Sequence, residues 1–189
     1  MEEFFISEVL PASSITDATI VASFFELNDA LVIARGNRLV IYKIEDQYLQ
    51  ECQIYELYGE IMRLIPIQYS HPSIGNLLVV LSDYQVCILA ADENDNTHIK
   101  TISNGTIMPS CDEKLPPLKY ALHPNAVVLQ IFHSRLDVFP ITSNSTLDTP
   151  FQVEIGCKRI IDFHFIGPTA KVTRLAVLTE EFNKVPTLR

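Results

Sequence analysis

Leu31-Val-Ile-Ala-Arg-Gly-Asn-Arg-Leu-Val-Ile-Tyr42 is an apolar run, a short polar break and a second apolar run. The same order returns in Leu78-Val-Val-Leu-Ser-Asp-Tyr-Gln-Val-Cys-Ile-Leu89 and in Val128-Leu-Gln-Ile-Phe-His-Ser-Arg-Leu-Asp-Val-Phe139. A partial fourth copy begins at Leu175-Ala-Val-Leu-Thr179, so the anchors Leu31, Leu78, Val128 and Leu175 are 47, 50 and 47 residues apart. Self-similarity at this period predicts a repeat architecture. One small supersecondary unit cannot bury its apolar face alone and must stack on copies of itself. Function in such a fold rests on the surface that the stack presents.

Within the first copy, Gly36-Asn37 supplies positive φ and predicts a tight antiparallel hairpin between Leu31–Ala34 and Arg38–Ile44. Ser82-Asp83-Tyr84 and Phe132-His133-Ser134 take the same place in the next two copies, the last as a turn by analogy. The first strand of each hairpin is a nearly continuous apolar run, as in Leu77-Leu-Val-Val-Leu81, which suits a strand covered on both faces. Further strands are predicted before each hairpin at Thr19–Phe25, Ile61–Ile67, Leu118–Leu122 and Arg159–Phe165. After each hairpin they are predicted at Gln50–Tyr55, Thr97–Ile102 and Phe151–Ile155. Helix caps and sustained 3.6-residue periodicity are absent, so the chain reads as all-β.

Four strands per unit of this length describe the blades of a β-propeller. About three blades and part of a fourth fit into 189 residues, and the reading is an incomplete ring. Closing a four-bladed ring instead would require Phe4–Val9 as an added outer strand. Asp92-Glu-Asn-Asp-Asn96, Thr106–Pro117 and Ser143–Pro150 are predicted surface loops, and His71-Pro72 and His123-Pro124-Asn125 predicted turns. Gly59 is expected at a connection between blades, where a side chain would not fit.

A hydrophobic content of 48% is ample for a core. The net charge of −9 argues against sequence-independent binding to a phosphate backbone, although an acidic face can meet a basic partner. Met1-Glu-Glu-Phe-Phe-Ile-Ser-Glu8 carries acids where a secretory signal carries positive charge, and no apolar run approaches the ~20 residues of a spanning helix. Cys52, Cys87, Cys111 and Cys157 are scattered, which predicts reduced intracellular thiols and not a disulfide framework. Asn104-Gly-Thr106 and Asn144-Ser-Thr146 fit the glycosylation pattern but read as turn-forming polar loops.

No motif for catalysis emerges. Asp92, Asn94 and Asn96 resemble the opening of a calcium loop, but Thr97 stands where glycine is needed and Ser103 where glutamate is. His71, His98, His123, His133 and His164 lack ligand spacing, and six glycines form neither a phosphate cradle nor a nucleophile elbow. Catalytic, cofactor-binding and metal residues are therefore assigned to none, and the binding residues are left open.

The chain has no Trp and no Trp-Asp punctuation, which speaks against a WD40 propeller. It resembles instead the first propeller of the family that includes the large subunit of the UV-damaged-DNA-binding protein. The large cleavage and polyadenylation specificity factor subunit and the splicing factor 3b propeller subunit belong to the same family. The resemblance is carried by Leu31–Tyr42, Leu57-Tyr-Gly-Glu-Ile61, Leu77–Leu89, Leu136-Asp-Val-Phe-Pro-Ile141 and Ile160-Ile-Asp-Phe-His-Phe165. Ile33-Ala-Arg35, Arg38-Leu-Val-Ile-Tyr42, Tyr58-Gly-Glu-Ile61 and Val86-Cys-Ile-Leu89 look most like the damaged-DNA-binding branch. His123-Pro124-Asn125 departs from the family's common Asp-Pro turn.

The resemblance implies that residues 1–189 are the N-terminal part of a first propeller in a non-enzymatic scaffold. Members of the damaged-DNA-binding branch are adaptors of a cullin-based ubiquitin ligase acting in DNA damage recognition and repair. Their first and third propellers hold substrate receptors and the second holds the cullin, so this segment would carry only part of a receptor-binding surface. Implied partners are proteins, either substrate receptors or other complex subunits, with nucleic acid reached only through the wider complex. No membrane and no cofactor is implied, and the implied compartment is the nucleus, with the cytoplasm as a second. A scaffold for pre-mRNA 3′-end processing or splicing is the alternative within the family. A propeller enzyme is the alternative of another class, and it predicts a polar cluster near the ring axis.

Overall fold

Fifteen strands and no helix form the described part of the chain. A computed structural model describes residues 15–25, 28–45, 48–67, 75–92, 95–109, 114–156, 158–167, 174–181 and 187–188. The first sheet contains β1 (Asp17–Phe25), β2 (Asn28–Arg35), β3 (Arg38–Glu45) and β4 (Tyr48–Glu56). The second contains β5 (Ile61–Ile67), β6 (Asn76–Leu81), β7 (Gln85–Asp92) and β8 (Asp95–Thr106). The third contains β9 (Lys114–His123), β10 (Ala126–Phe132), β11 (Arg135–Pro140) and β12 (Phe151–Glu154). The fourth contains β13 (Lys158–Ile166), β14 (Arg174–Glu181) and the two-residue β15 (Thr187–Leu188). Each sheet is an antiparallel meander in chain order, so the repeat seen in the sequence is one blade per period.

Alternation along the middle strands determines how the blades stack. In β6, Leu77, Val79 and Leu81 turn toward the first blade and join Val32, Ala34, Leu39 and Ile41 in one buried cluster. Leu78 and Val80 turn the other way and meet Val127, Leu129 and Phe139 of the third blade. Every residue of β6 is buried, because period-2 alternation delivers its side chains to two different cores. Burying a side chain of this size stabilises by roughly 1.5–3 kcal/mol, so each continuous apolar run holds two interfaces at once. The next interface is built likewise, with Val128 and Leu136 meeting Ile160 and Phe163. No buried cluster among the described residues joins the fourth blade to the first, and the ring is open.

The first strands pack in succession, β1 on β5, β5 on β9 and β9 on β13, which places them around the axis. Each is paired on one side only. Pro66 therefore sits within β5 without breaking a ladder, and Pro116 and Pro117 sit in the irregular pairing of β9 between Lys114 and Lys119.

The predicted strands recur, with Ile61–Ile67 matching in both bounds, Phe151–Ile155 ending one residue earlier at Glu154, and the others extended at one or both ends. Gly36 has a φ of 58° at the first position of its two-residue turn, and Arg35 pairs with Arg38 across it. Ser82–Tyr84 forms a three-residue turn with Tyr84 at φ 69°, and His133-Ser134 is a turn as expected. Pro124-Asn125 turns β9 into β10, whereas His71-Pro72 and Phe4–Val9 lie outside the described residues.

Three loop assignments need correction. Asp92–Asn96 is narrower than a five-residue loop, since β7 runs to Asp92 and β8 resumes at Asp95, with those two residues paired. Thr106–Pro117 shrinks at both ends for the same reason, because Thr106 pairs with Gln85 and β9 already begins at Lys114. Asn104-Gly105-Thr106 is consequently strand and not turn. A Cβ on Gly105 would come within 2.9 Å of the Phe139 ring, so glycine here admits the third blade and does not bend the chain. The short β15 carries no strand signal in the sequence.

Candidate functional site

The inner strands enclose a cavity of about 510 Å³. Its walls are Ile20 and Ala22 of β1, Pro66 and Ile67 of β5, and Leu122 and His123 of β9, with Pro124 at the rim. Because β1 and β9 both line it across the intervening β5, it lies on the axial side of the blades. Its volume is in the range of ligand pockets, and among the described residues its wall is aliphatic apart from one imidazole. Ile20 remains 56% exposed and Leu122 38%, so the cavity opens as an apolar depression at the end of the ring where first strands lead into second strands.

His123 is oriented by its own turn. The Asn125 N–H donates to its Nδ1 over 3.2 Å, which leaves the proton of the neutral ring on Nε2. The ring also tilts against Phe165 at 5.1 Å, tying β9 to β13. The sequence places this histidine in a turn, and no local signal marks it as lining a cavity.

A chain of polar contacts crosses three inner strands. Asp17 Oδ2 accepts the Leu64 N–H at 2.8 Å and lies 3.6 Å from Arg63 Nε, an ion pair beyond hydrogen-bond reach. The Arg63 guanidinium in turn lies 5.7 Å from the Tyr120 ring. Separate contacts tie the third blade to the fourth: Gln130 Nε2 donates to the Ile160 carbonyl at 3.1 Å, and Lys119 Nζ donates to the Ile161 carbonyl. These groups cross-link blades. None of them converges on a point where a reacting atom would sit.

In the third blade, Arg135 and Asp137 are both almost fully buried and pair at 3.3 Å. Arg135 also donates to the Met108 carbonyl and lies over the Phe132 ring at 4.5 Å. Burial pushes the Asp137 carboxyl up from its ordinary value, against the opposing pull of Arg135 and Gln152. Cys87, at the interface of the first two blades, is pushed up to about 11 by burial and by the nearby Asp83 charge, which makes it an inert core thiol. Cys87 and Cys52 are free thiols, Cys52 exposed. Cys111 and Cys157 lie outside the described residues.

The described histidines stay apart: His98 and His164 are exposed and His133 sits in a turn, while His71 lies outside the described residues. Among the described residues no group of three or more His, Cys, Asp or Glu side chains is arranged to hold a metal ion. No helix of the described residues is long and apolar enough to cross a membrane. Gly59 does lie in the connection from the first blade to the second. A Cβ there would stand 3.3 Å from Leu81 and from the Asp83 carboxylate, tight but not excluded.

Four-stranded antiparallel blades stacked around an axis define a β-propeller. The family model described as the RSE1/DDB1/CPSF1 first β-propeller matches residues 15–188. The chain belongs to that family, whose members are β-propeller scaffolds that bind proteins within complexes. A comparison with curated proteins gave no match.

Proposed function

We propose that residues 1–189 form the N-terminal part of the first propeller of a non-enzymatic, nuclear scaffold of the damaged-DNA-binding branch. In this reading the scaffold is the adaptor of a cullin-based ubiquitin ligase acting in DNA damage recognition and repair. The chain supplies part of the surface that holds substrate receptors, and nucleic acid is reached only through the assembled complex. The observation that carries the reading is the family match over residues 15–188, refined by the branch-like stretches Ile33–Tyr42, Tyr58–Ile61 and Val86–Leu89. The non-enzymatic part is supported by the family, whose members are scaffold propellers.

Affinity purification of the tagged chain from nuclear and cytoplasmic fractions tests the proposal. Recovery of a cullin with receptor proteins from the nuclear fraction is the expected result. Recovery of pre-mRNA 3′-end-processing or splicing subunits would assign the chain to the sister branch, and an exclusively cytoplasmic complex would remove the nuclear assignment.

A further inference from the structure

The four-residue connector Leu57–Glu60 between β4 and β5 is held from both blades. The Leu57 N–H donates to the Asn37 carbonyl at 2.8 Å, and Asn37 Nδ2 donates back to the Leu57 carbonyl at 3.2 Å. The Ile61 N–H donates to the Gly36 carbonyl and the Ser82 N–H to the Glu60 carbonyl, each at 2.8 Å. Gly59 lies flush against Leu81 and Asp83 of the second blade. Tyr58, in the middle of this fastened segment, is fully exposed and gives the core nothing. Its backbone is already ordered, so a contact to its ring costs little further entropy.

The surroundings specify what such a contact prefers. Glu60 and Asp83 are both exposed beside the connector, and no ion pair among the described residues engages either one. Glu56, by contrast, is matched by Arg38 at 2.8 Å. Strand direction puts every blade-to-blade connector at the same end of the ring, and Met108 on the next connector is 68% exposed. This end therefore presents an aromatic face, the Glu60 and Asp83 carboxylates and a thioether, beside the Arg35–Arg38 hairpin, where Arg38 is matched by Glu56 and Arg35 offsets one of the two free acids. The carboxylates and the net charge of −9 disfavour nucleic acid, and the ring with its acids suits a cationic side chain. The chain already packs arginine on aromatic rings internally, at Arg135 on Phe132 and Arg63 on Tyr120.

We propose that Tyr58, flanked by Glu60 and Asp83, is the anchor of a docking surface for an arginine-bearing segment of a partner protein. The guanidinium stacks on the Tyr58 ring within reach of the two carboxylates, and an adjoining apolar side chain covers Met108. The proposal rests on the family's role as a protein-binding scaffold but not on which branch the chain serves, so co-purification and the experiment below fail independently.

A fluorescein-labelled peptide of alternating arginine and glycine is titrated with the 189-residue chain at low and at physiological ionic strength, with binding read by anisotropy. Y58A is expected to weaken binding about tenfold, and Y58F to retain it, since the ring face and not the hydroxyl holds the cation. A lysine peptide should bind less tightly than the arginine peptide, and the pair E60Q and D83N should flatten the salt dependence. Thermal melts of Y58A should match the unsubstituted chain. Equal affinity of Y58A, equal loss in Y58F, no binding of the arginine peptide, or equal binding of a glutamate peptide would each overturn the proposal. A lowered melting point of Y58A would also overturn it, because the ring would then belong to the fold.

Discussion

Replacing Gly75 by alanine drives a methyl group into the first blade. The added Cβ would lie 2.1 Å from the Ala22 carbonyl oxygen and 3.0 Å from Val21 Cγ1, where an optimal non-bonded separation is roughly 3.5 Å. Backbone cannot swing aside as the end of a flexible side chain can, so the two segments must part by about 1 Å or more. The 3.2 Å hydrogen bond from the Gly75 N–H to the Ser23 carbonyl is lost with that displacement. Overpacking costs about 1–3 kcal/mol, and leaving a buried polar group unmet costs another ~1–3 kcal/mol. Taken at their middle values the two costs add to about 4 kcal/mol. In a domain of this size that lowers the melting temperature by roughly 8–16 °C. Urea unfolding followed by circular dichroism should show a lower midpoint at unchanged slope. Gly36→Ala is the control, since a Cβ there meets open space and only the positive φ of 58° is penalised, at about 1–2 kcal/mol. If Gly75→Ala were no more destabilising than Gly36→Ala, the close approach of the second blade to the first would not exist as described.

Two further outcomes test the chemistry of the core. Cys52 should react with iodoacetamide in the folded protein while Cys87 reacts only in denaturant, as read by mass spectrometry of the peptides, because Cys87 is buried with its thiol pushed up to about 11. Rapid modification of Cys87 under native conditions would contradict the packing of the first interface. Asp137 should make stability fall as pH rises: its folded pKa lies above the unfolded value, so between the two the native state holds the extra proton. Asp137→Asn and the unsubstituted protein should then be alike near about pH 3, with the variant gaining relative stability toward about pH 7. Denaturant midpoints across that range decide it, and a variant that loses ground with rising pH would reverse the assigned direction.

How far the sequence reaches can be judged from particular residues. Leu77–Leu81 announced a doubly covered strand through composition alone, and the alternation of odd and even positions between two cores is a local property of extended chain. Gly36-Asn37 announced its hairpin because positive φ at a two-residue turn selects glycine. Asn104-Gly105-Thr106 misled, since the same residue that permits a turn also permits close approach, and only the Phe139 ring at 2.9 Å distinguishes the two. Gly75 carried no signal for the same reason, its partner Ala22 lying more than one period away in the chain.

The candidate sites belong to the tertiary structure still more fully. Ile20, Pro66 and Leu122 come from three successive blades and read separately as unremarkable strand residues, yet stacking brings them around one axial depression. Tyr58 stood out only as one letter of a family-like stretch. Its exposure on a connector fastened by Asn37, Gly36 and Ser82 is a consequence of how two hairpins meet. By itself the sequence determined the blade, because strand, turn and alternation depend on neighbours within a few residues and the repeat multiplies that signal. What faces what across the blades was decided by packing between segments about fifty residues apart, where any aliphatic pattern of the right period would stack equally well.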